Sequence, residues 1–219
     1  MLIDFHTHSL LSDGCLVPAE LVRRAQVNGY TAIGITDHVD MATVEVIAPI
    51  LIRAAKSLSQ NTSFSVLAGI EITHVLPQQI LPLVEKARKL GVELIIVHGE
   101  TIVEPVMPGT NSAAINAAVD IIAHPGFLTV EEAGLALQQG VFLEISFRKG
   151  HSLTNGYIAS IAKKTGAKLL VGSDAHEPHD LLDEDTYKKL ILGTGLDEDS
   201  VQEIQANSQD LLNKIISKR

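Results

Sequence analysis

The chain is poor in the residues that hold small secreted domains together. Of 219 residues one is Cys, none is Trp and 4% are aromatic. The single thiol, Cys15, forms no internal disulfide, so stability has to come from a packed core. Positive charge is also scarce: 17 Lys plus Arg face 26 Asp plus Glu, and the net charge of -9 disfavours nucleic-acid backbones as partners. No apolar run reaches the roughly 18 residues of a membrane span, because Asp, His or Gly interrupts each one. The opening MLIDFHTHS has neither the basic flank nor the apolar stretch of a secretory signal. These absences lead us to expect a cytoplasmic protein with no membrane partner. The sequence also lacks a Walker loop, a G-x-G-x-x-G fingerprint and a G-x-S-x-G elbow, which leaves nucleotide-cofactor and serine-hydrolase chemistry without support.

What is present is a repeated strand-helix rhythm. Short runs rich in Ile, Val and Leu predict seven strands, at Leu2 to Phe5, Ala32 to Thr36, Ser65 to Ile70, Glu93 to Val97, Val119 to Ala123, Val141 to Ile145 and Lys168 to Val171. Each run is continuous rather than alternating, as suits a parallel strand buried on both faces. Helical periodicity fills the gaps, at about Pro18 to Asn28, Thr43 to Ser59, Leu76 to Leu90, Ser112 to Ala118, Val130 to Gln138 and Asn155 to Lys164, with two more helices near the C-terminus. Gly29, Gly91, Gly140 and Gly166 stand just past four of these helices, where a left-handed cap is cheapest. No composition shift marks a linker, so residues 1–219 read as a single domain. The α/β architecture is either a parallel barrel short of eight strands or an open doubly wound sheet.

Polar residues gather where these strands end. The first runs into His6 and His8, the second into Asp37 and His38, the third into Glu71, the fourth into His98, the fifth into His124 and the seventh into Asp174 and His176. A parallel barrel places its active site on that face. Two histidines two residues apart project to the same side of an extended strand, so His6 and His8 can share one ion, and Asp174 with His176 repeats the spacing. Imidazole and carboxylate donors together suit zinc, manganese or iron. Without cations, burying so many ionisable groups in one place would be costly.

Six segments carry a specific resemblance: DFHTHSLLSDG at 4–14, GITDH at 34–38, GIE at 69–71, VHG at 97–99, AHPG at 123–126 and GSDAH at 172–176. The chain resembles the PHP (polymerase and histidinol phosphatase) family of metal-dependent phosphoesterases over essentially its whole length. The resemblance implies a distorted seven-stranded (β/α)7 TIM-like barrel with two to three divalent ions at the C-terminal face. One ion would be held by His6, His8, Glu71 and Asp174, with Glu71 bridging to a second held also by His98 and His124. Asp13, His38 and His176 would hold a third, and the carboxylate of Asp13, where many relatives carry His, tilts that position toward manganese or iron. The implied reaction is hydrolysis of a small phosphomonoester, histidinol-phosphate-like or nucleotide-like, by a metal-bridging hydroxide, with Glu71 and Asp174 central to catalysis.

The sixth strand leads into Ser146-Phe147-Arg148-Lys149-Gly150-His151-Ser152, the one loop at the catalytic end with adjacent basic residues. Arg148 is the candidate phosphate clamp; Lys149 would add charge and His151 would protonate the leaving group. Glu144 reads as a structural acceptor outside the metal shell, and His74 and His179 as solvent-exposed. Glu100 is either exposed or a supporting acceptor, and Cys15 is expected as a small buried thiol. The C-terminal helix, about Asp199 to Ile216, has an apolar face that fits either the barrel or a partner, so oligomeric state stays open. Three further readings differ in class. An amidohydrolase-type enzyme shares the first H-x-H but places a lysine where this chain has His98. An oligonucleotide exonuclease is disfavoured by charge, and a non-catalytic metal-binding module would have shed ligands that are all present here.

Overall fold

The computed structural model describes residues 2–219. Seven parallel strands, β1 (Leu2–Asp4), β2 (Tyr30–Ile35), β4 (Ser65–Ile72), β5 (Leu94–His98), β6 (Ile121–Ala123), β7 (Phe142–Ser146) and β8 (Leu169–Gly172), pair in that order. A two-residue strand, β3 (His38–Val39), pairs with β4 alone. Helices α1 (Pro18–Val27), α2 (Val44–Leu58), α3 (Pro77–Leu90), α4 (Thr110–Asn116), α5 (Val130–Gln139) and α6 (Asn155–Thr165) connect successive strands, and α7 (Glu184–Gly193) and α8 (Glu198–Ile216) follow β8. The result is a nearly closed TIM-like barrel rather than an open doubly wound sheet.

The seam between β8 and β1 closes at the mouth. Just beyond the two strands Asp174 N donates to His6 O and His8 N donates to Ala175 O, both at 2.9 Å. At the opposite end α8 packs against β8 and β1. Leu211, Leu212 and Ile215 join Ile3, Phe5, Leu67, Leu94, Ile96 and Leu170 in the barrel's interior cluster. Burying each such side chain is worth about 1.5–3 kcal/mol, so the apolar face of α8 is satisfied by its own barrel. Its last residue, Arg219, reaches Glu93 at 2.6 Å, below the start of β5.

The six connecting helices and seven strands stand where the periodicity puts them, within about two residues at most ends. Helix α2 buries Val44, Ala48, Leu51 and Ala55, the four-three-four spacing of one face. Gly91 and Gly140 close α3 and α5 in the left-handed region, at φ +95° and +69°. β6 starts two residues later than expected, and Asp120 just before it braces β5, its carboxylate accepting from Ile95 N at 2.8 Å and from Arg88. Neither β3 nor the 3-10 turns at His151–Thr154 and Pro178–Asp180 carries a periodic signal, since none is long enough to show one. Among the described residues no helix is long and apolar enough to cross a membrane.

Candidate metal centre

The strand ends bring four side chains to one point beneath the mouth. Extended geometry beyond β1 turns His6 and His8 to the same side, their ring centroids 5.0 Å apart. His6 Nε2 lies 3.4 Å from Glu71 Oε1 and 3.7 Å from Asp174 Oδ1, and His8 Nε2 lies 3.6 Å from Glu71 Oε2 and 3.2 Å from Asp174 Oδ1. From the end of β6, His124 Nε2 stands 3.7 Å from both Glu71 Oε1 and Asp174 Oδ2. His6 Nε2, both ring nitrogens of His8, Glu71 Oε1 and His124 Nδ1 are buried with no hydrogen-bond partner, while Glu71 Oε2 lies 2.7 Å from His38 Nδ1. Buried polar atoms are almost always paired, and so many left facing one another are costly. Nitrogen and oxygen donors converging in this way fit divalent cations.

Two more groups flank this one. Pairing of β3 with β4 sets His38 opposite Glu71. His38 Nε2 then approaches Asp13 Oδ1 at 3.5 Å, His176 Nε2 approaches the same oxygen at 3.1 Å, and with His8 they form a four-residue cluster. On the other flank His98 and His124 group with His151, whose ring stacks on His124 at 4.0 Å. His74, His98 and Glu104 make a further group at the outer edge. The cavity they line has a volume of about 220 Å³ and is walled by Asp13, His38, His98, Glu104, Arg148 and His176 among others.

Most of these rings are held from behind. His6 Nδ1 is 2.6 Å from Glu144 Oε2, His38 Nδ1 is 2.6 Å from Thr73 Oγ1, His98 Nδ1 is 3.2 Å from Gly99 O and His151 Nδ1 is 2.8 Å from Thr101 Oγ1. A ring that gives its Nδ1 proton to such an acceptor turns the Nε2 lone pair toward the cavity, the arrangement a metal ligand requires. Electrostatics act in the same sense. Burial would raise Glu71 and Asp174, but the surrounding imidazoles, His6 foremost, hold both carboxyls well below their usual range. Burial lowers His8 to about 4 and pushes His124 well below its ordinary value. Burial opposes charge on His38 too, yet Glu71 and Asp13 raise it to about 10. The chain thus holds ionised carboxylates among imidazoles of two kinds: burial favours the neutral ring at His8 and His124, and neighbouring carboxylates favour the charged ring at His6 and His38.

Backbone strain concentrates at the same place. His124, Asp174 and His74 have φ of +29°, +52° and +52°, a region side-chain-bearing residues seldom adopt; Asp174 and His74 line the cavity and His124 packs against its wall at His98 and His151.

The residues expected around the ions divide. Arg148 lines the cavity, with Nη1 2.8 Å from His176 Nδ1 and 3.3 Å from Asp174 O. Lys149, expected beside it, is exposed and outside the cavity lining, because the chain turns outward after Arg148. His151, expected as a proton donor, lines the cavity with its Nε2 3.3 Å from Glu104, and burial lowers its pKa. Glu144 is the supporting acceptor expected of it. Glu100 also supports, accepting from Gly109 N at 3.0 Å and Asn111 N at 2.9 Å. Cys15 is exposed rather than buried, because the turn after Asp13 directs it away from the core. His74 is 41% exposed but bonds Glu104 at 3.0 Å. His179, in a 3-10 turn, faces solvent. Glu104 escapes sequence reasoning because a lone Glu in an irregular loop has no spacing to mark it. The one available signal was its position in the segment that leaves β5 at the catalytic end.

Comparison with known proteins places these observations in a family. The PHP domain family model matches residues 4–212. A protein of Methanocaldococcus jannaschii with no assigned function is 46% identical over 198 residues, 90% of this chain and 91% of that one. A protein of Thermoanaerobacter named "Probable phosphatase" is 30% identical over 229 residues, covering 92% of this chain and 89% of its own. Among solved structures, a candidate histidinol phosphatase of Listeria monocytogenes superimposes with a TM-score of 0.60 at 10% identity, over 84% of this chain and 99% of that one, a likeness of fold alone.

Proposed function

The chain belongs to the PHP domain family of metal-dependent phosphoester hydrolases, and from that premise we propose that it cleaves a small phosphomonoester at a site for three divalent cations. The observation that carries the reading is the set of buried, unpartnered ligand atoms on His6, His8 and Glu71, closed by Asp174 and His124. His6, His8, Glu71 and Asp174 would hold one ion, and Glu71 with His98 and His124 a second. Asp13, His38 and His176 would hold the third. When bound, such ions supply Lewis acidity at phosphoryl oxygens and lower the pKa of an attacking water toward neutrality.

The chain's own groups do the rest. Arg148 offers a planar guanidinium at the rim of the cavity, only a third exposed, where it can donate to nonbridging phosphoryl oxygens. Glu144, Thr73, Gly99 and Thr101 hold imidazoles in one orientation, so the site is organised before substrate arrives. No side chain is asked to act as a nucleophile, and His151, in the cavity wall, is the candidate proton donor to the leaving group. The cavity of about 220 Å³ is smaller than the roughly 300–1,000 Å³ that encloses a drug-sized ligand, which favours a phosphate on a small leaving group.

The deciding experiment is elemental analysis of protein purified without chelator, together with release of p-nitrophenol from its phosphate ester. Two to three ions per chain and chelator-sensitive turnover are expected. Glu71→Gln should lower the ion count and abolish turnover. Protein that takes up no manganese, iron or zinc, or a Glu71→Gln variant with unchanged metal and activity, overturns the reading.

A further inference from the structure

Glu104 stands outside every motif that identifies the family, yet its carboxylate reaches three imidazoles of the cavity. Oε2 lies 3.0 Å from His74 Nε2 and 3.1 Å from His98 Nε2, and Oε1 lies 3.3 Å from His151 Nε2. The segment that presents it is fixed at its base. Glu100 accepts from Gly109 N and Asn111 N, Asn111 Oδ1 accepts from Glu100 N at 3.1 Å, and Asn111 Nδ2 donates to Pro125 O at 2.8 Å. Between these anchors Thr101 Oγ1 meets His151 Nδ1, and Val103 packs on Gly150, its Cγ2 3.4 Å from where a Cβ would stand. Glu104 is therefore delivered by a braced loop.

Its contacts have a chemical consequence. His98 Nδ1 faces the carbonyl of Gly99, which can only accept, so in the neutral ring the proton sits on Nδ1 and Nε2 carries a lone pair. An ion held by His98 takes that lone pair, and the ring then has no proton to give Glu104. A carboxylate oxygen 3.1 Å from that nitrogen calls for a positive charge between them, a proton or a metal ion. Ligand atoms bound at about 2.0–2.2 Å to one tetrahedral ion stand about 3.3–3.6 Å apart, close to the spacing seen here. Resting on the reading of His98 as a metal ligand, we propose that Glu104 is a further ligand of the cation held by His98. It comes from the β5–α4 loop and occupies the open coordination position that substrate phosphate must take over. His74 orients Glu104 from the solvent side and His151 from within.

Two properties follow. Glu104 completes the coordination of the ion in the resting enzyme, and it competes with any anion that enters. The test uses the full chain loaded with cobalt(II), whose visible absorption reports the number and type of ligands. Glu104→Gln keeps the loop's shape on a partly exposed side chain, so the fold is preserved. The expected result has three parts. The cobalt spectrum changes, the most weakly held ion is lost to a competing chelator about 10- to 100-fold more readily, and inorganic phosphate binds more tightly than to the parent protein. Adding phosphate to the parent should shift its spectrum as the substitution does. A Glu104→Gln protein with the parent's spectrum and cobalt affinity overturns the proposal while leaving the metal centre intact. A parent protein that binds no cobalt overturns both.

Discussion

Glu144 Oε2 lies 2.6 Å from Nδ1 of His6, while the far nitrogen of the same ring faces Glu71 and Asp174. The carboxylate fixes the ring's tautomer and its angle from beneath the site. Glu144→Gln should therefore weaken metal affinity by about 10- to 100-fold without removing a ligand. Gly172 supplies an independent route to the same outcome, because a Cβ there would stand 2.3 Å from Glu144 Oε2 and 3.1 Å from His6 Cβ. Gly172→Ala has to push the carboxylate aside and should reproduce the loss. Chelator competition measures both variants, and parent-like affinity in both would show that His6 needs no support.

Arg148 touches the site at its rim, where its Nε lies 3.8 Å from Asp174 Oδ2 and supplies no ligand atom of its own. Removing its charge-assisted bond to phosphate should cost about 1.5–3 kcal/mol, or about 10- to 150-fold in kcat/KM, with ion content unchanged. Arg148→Lys should recover only part of this, since an ammonium cannot make the bidentate contact. Steady-state kinetics on a phosphomonoester, alongside elemental analysis, check it. A fall in ion content would mean instead that Arg148 acts through His176, 2.8 Å away, or through Asp174, 3.8 Å away.

Withdrawing the cations should destabilise the fold itself. The unpartnered buried atoms of His6, His8 and Glu71 then have nothing opposite them. By mass action a ligand at 1,000 times its Kd contributes about 4 kcal/mol. In a chain of 219 residues that is a fall in Tm of about 10 °C on chelation. Calorimetry with and without chelator, followed by re-addition of manganese or zinc, measures it. An unchanged Tm would mean that the apo cavity relaxes at no cost.

The barrel was legible because each strand is a continuous apolar run and each helix has one apolar face, signals that survive in a single sequence. So was the inner ring, because His6, His8, His38, Glu71, His98, His124, Asp174 and His176 all sit at or within about four residues of the C-terminal end of a strand, where position along the chain is position around the mouth. The limits have the same physical origin. Loops have no period, so the charge of Lys149 pointed inward on paper while its backbone turns it out. The reach of Glu104 back over His98 depends on braces at Glu100 and Asn111 that only the folded chain displays. His151 stands at the mouth as its position suggested, but the burial that lowers its pKa is not revealed by its neighbours in sequence.

The start of α5 tests the fold away from the metals. Thr129 Oγ1 accepts from Glu132 N at 3.1 Å, and Glu132 Oε2 accepts in return from Thr129 N at 3.0 Å, a reciprocal cap whose other oxygen takes the hydroxyl of Ser112. Thr129→Ala should cost about 1 kcal/mol in denaturant unfolding. Partial burial alone would raise the Glu132 carboxyl, but the bonds from Ser112 and Thr129 override it and hold the group below its ordinary 4.5. A carboxyl whose folded pKa is depressed stabilises the fold above its unfolded value and loses that contribution as pH falls through the folded one. The parent should therefore exceed Glu132→Gln in stability at pH 7, and the gap should narrow as pH drops below about 4.5. Unfolding curves for the two proteins from pH 7 to pH 3 decide it. A gap that stays constant would show that the cap works through geometry and owes nothing to the charge on Glu132.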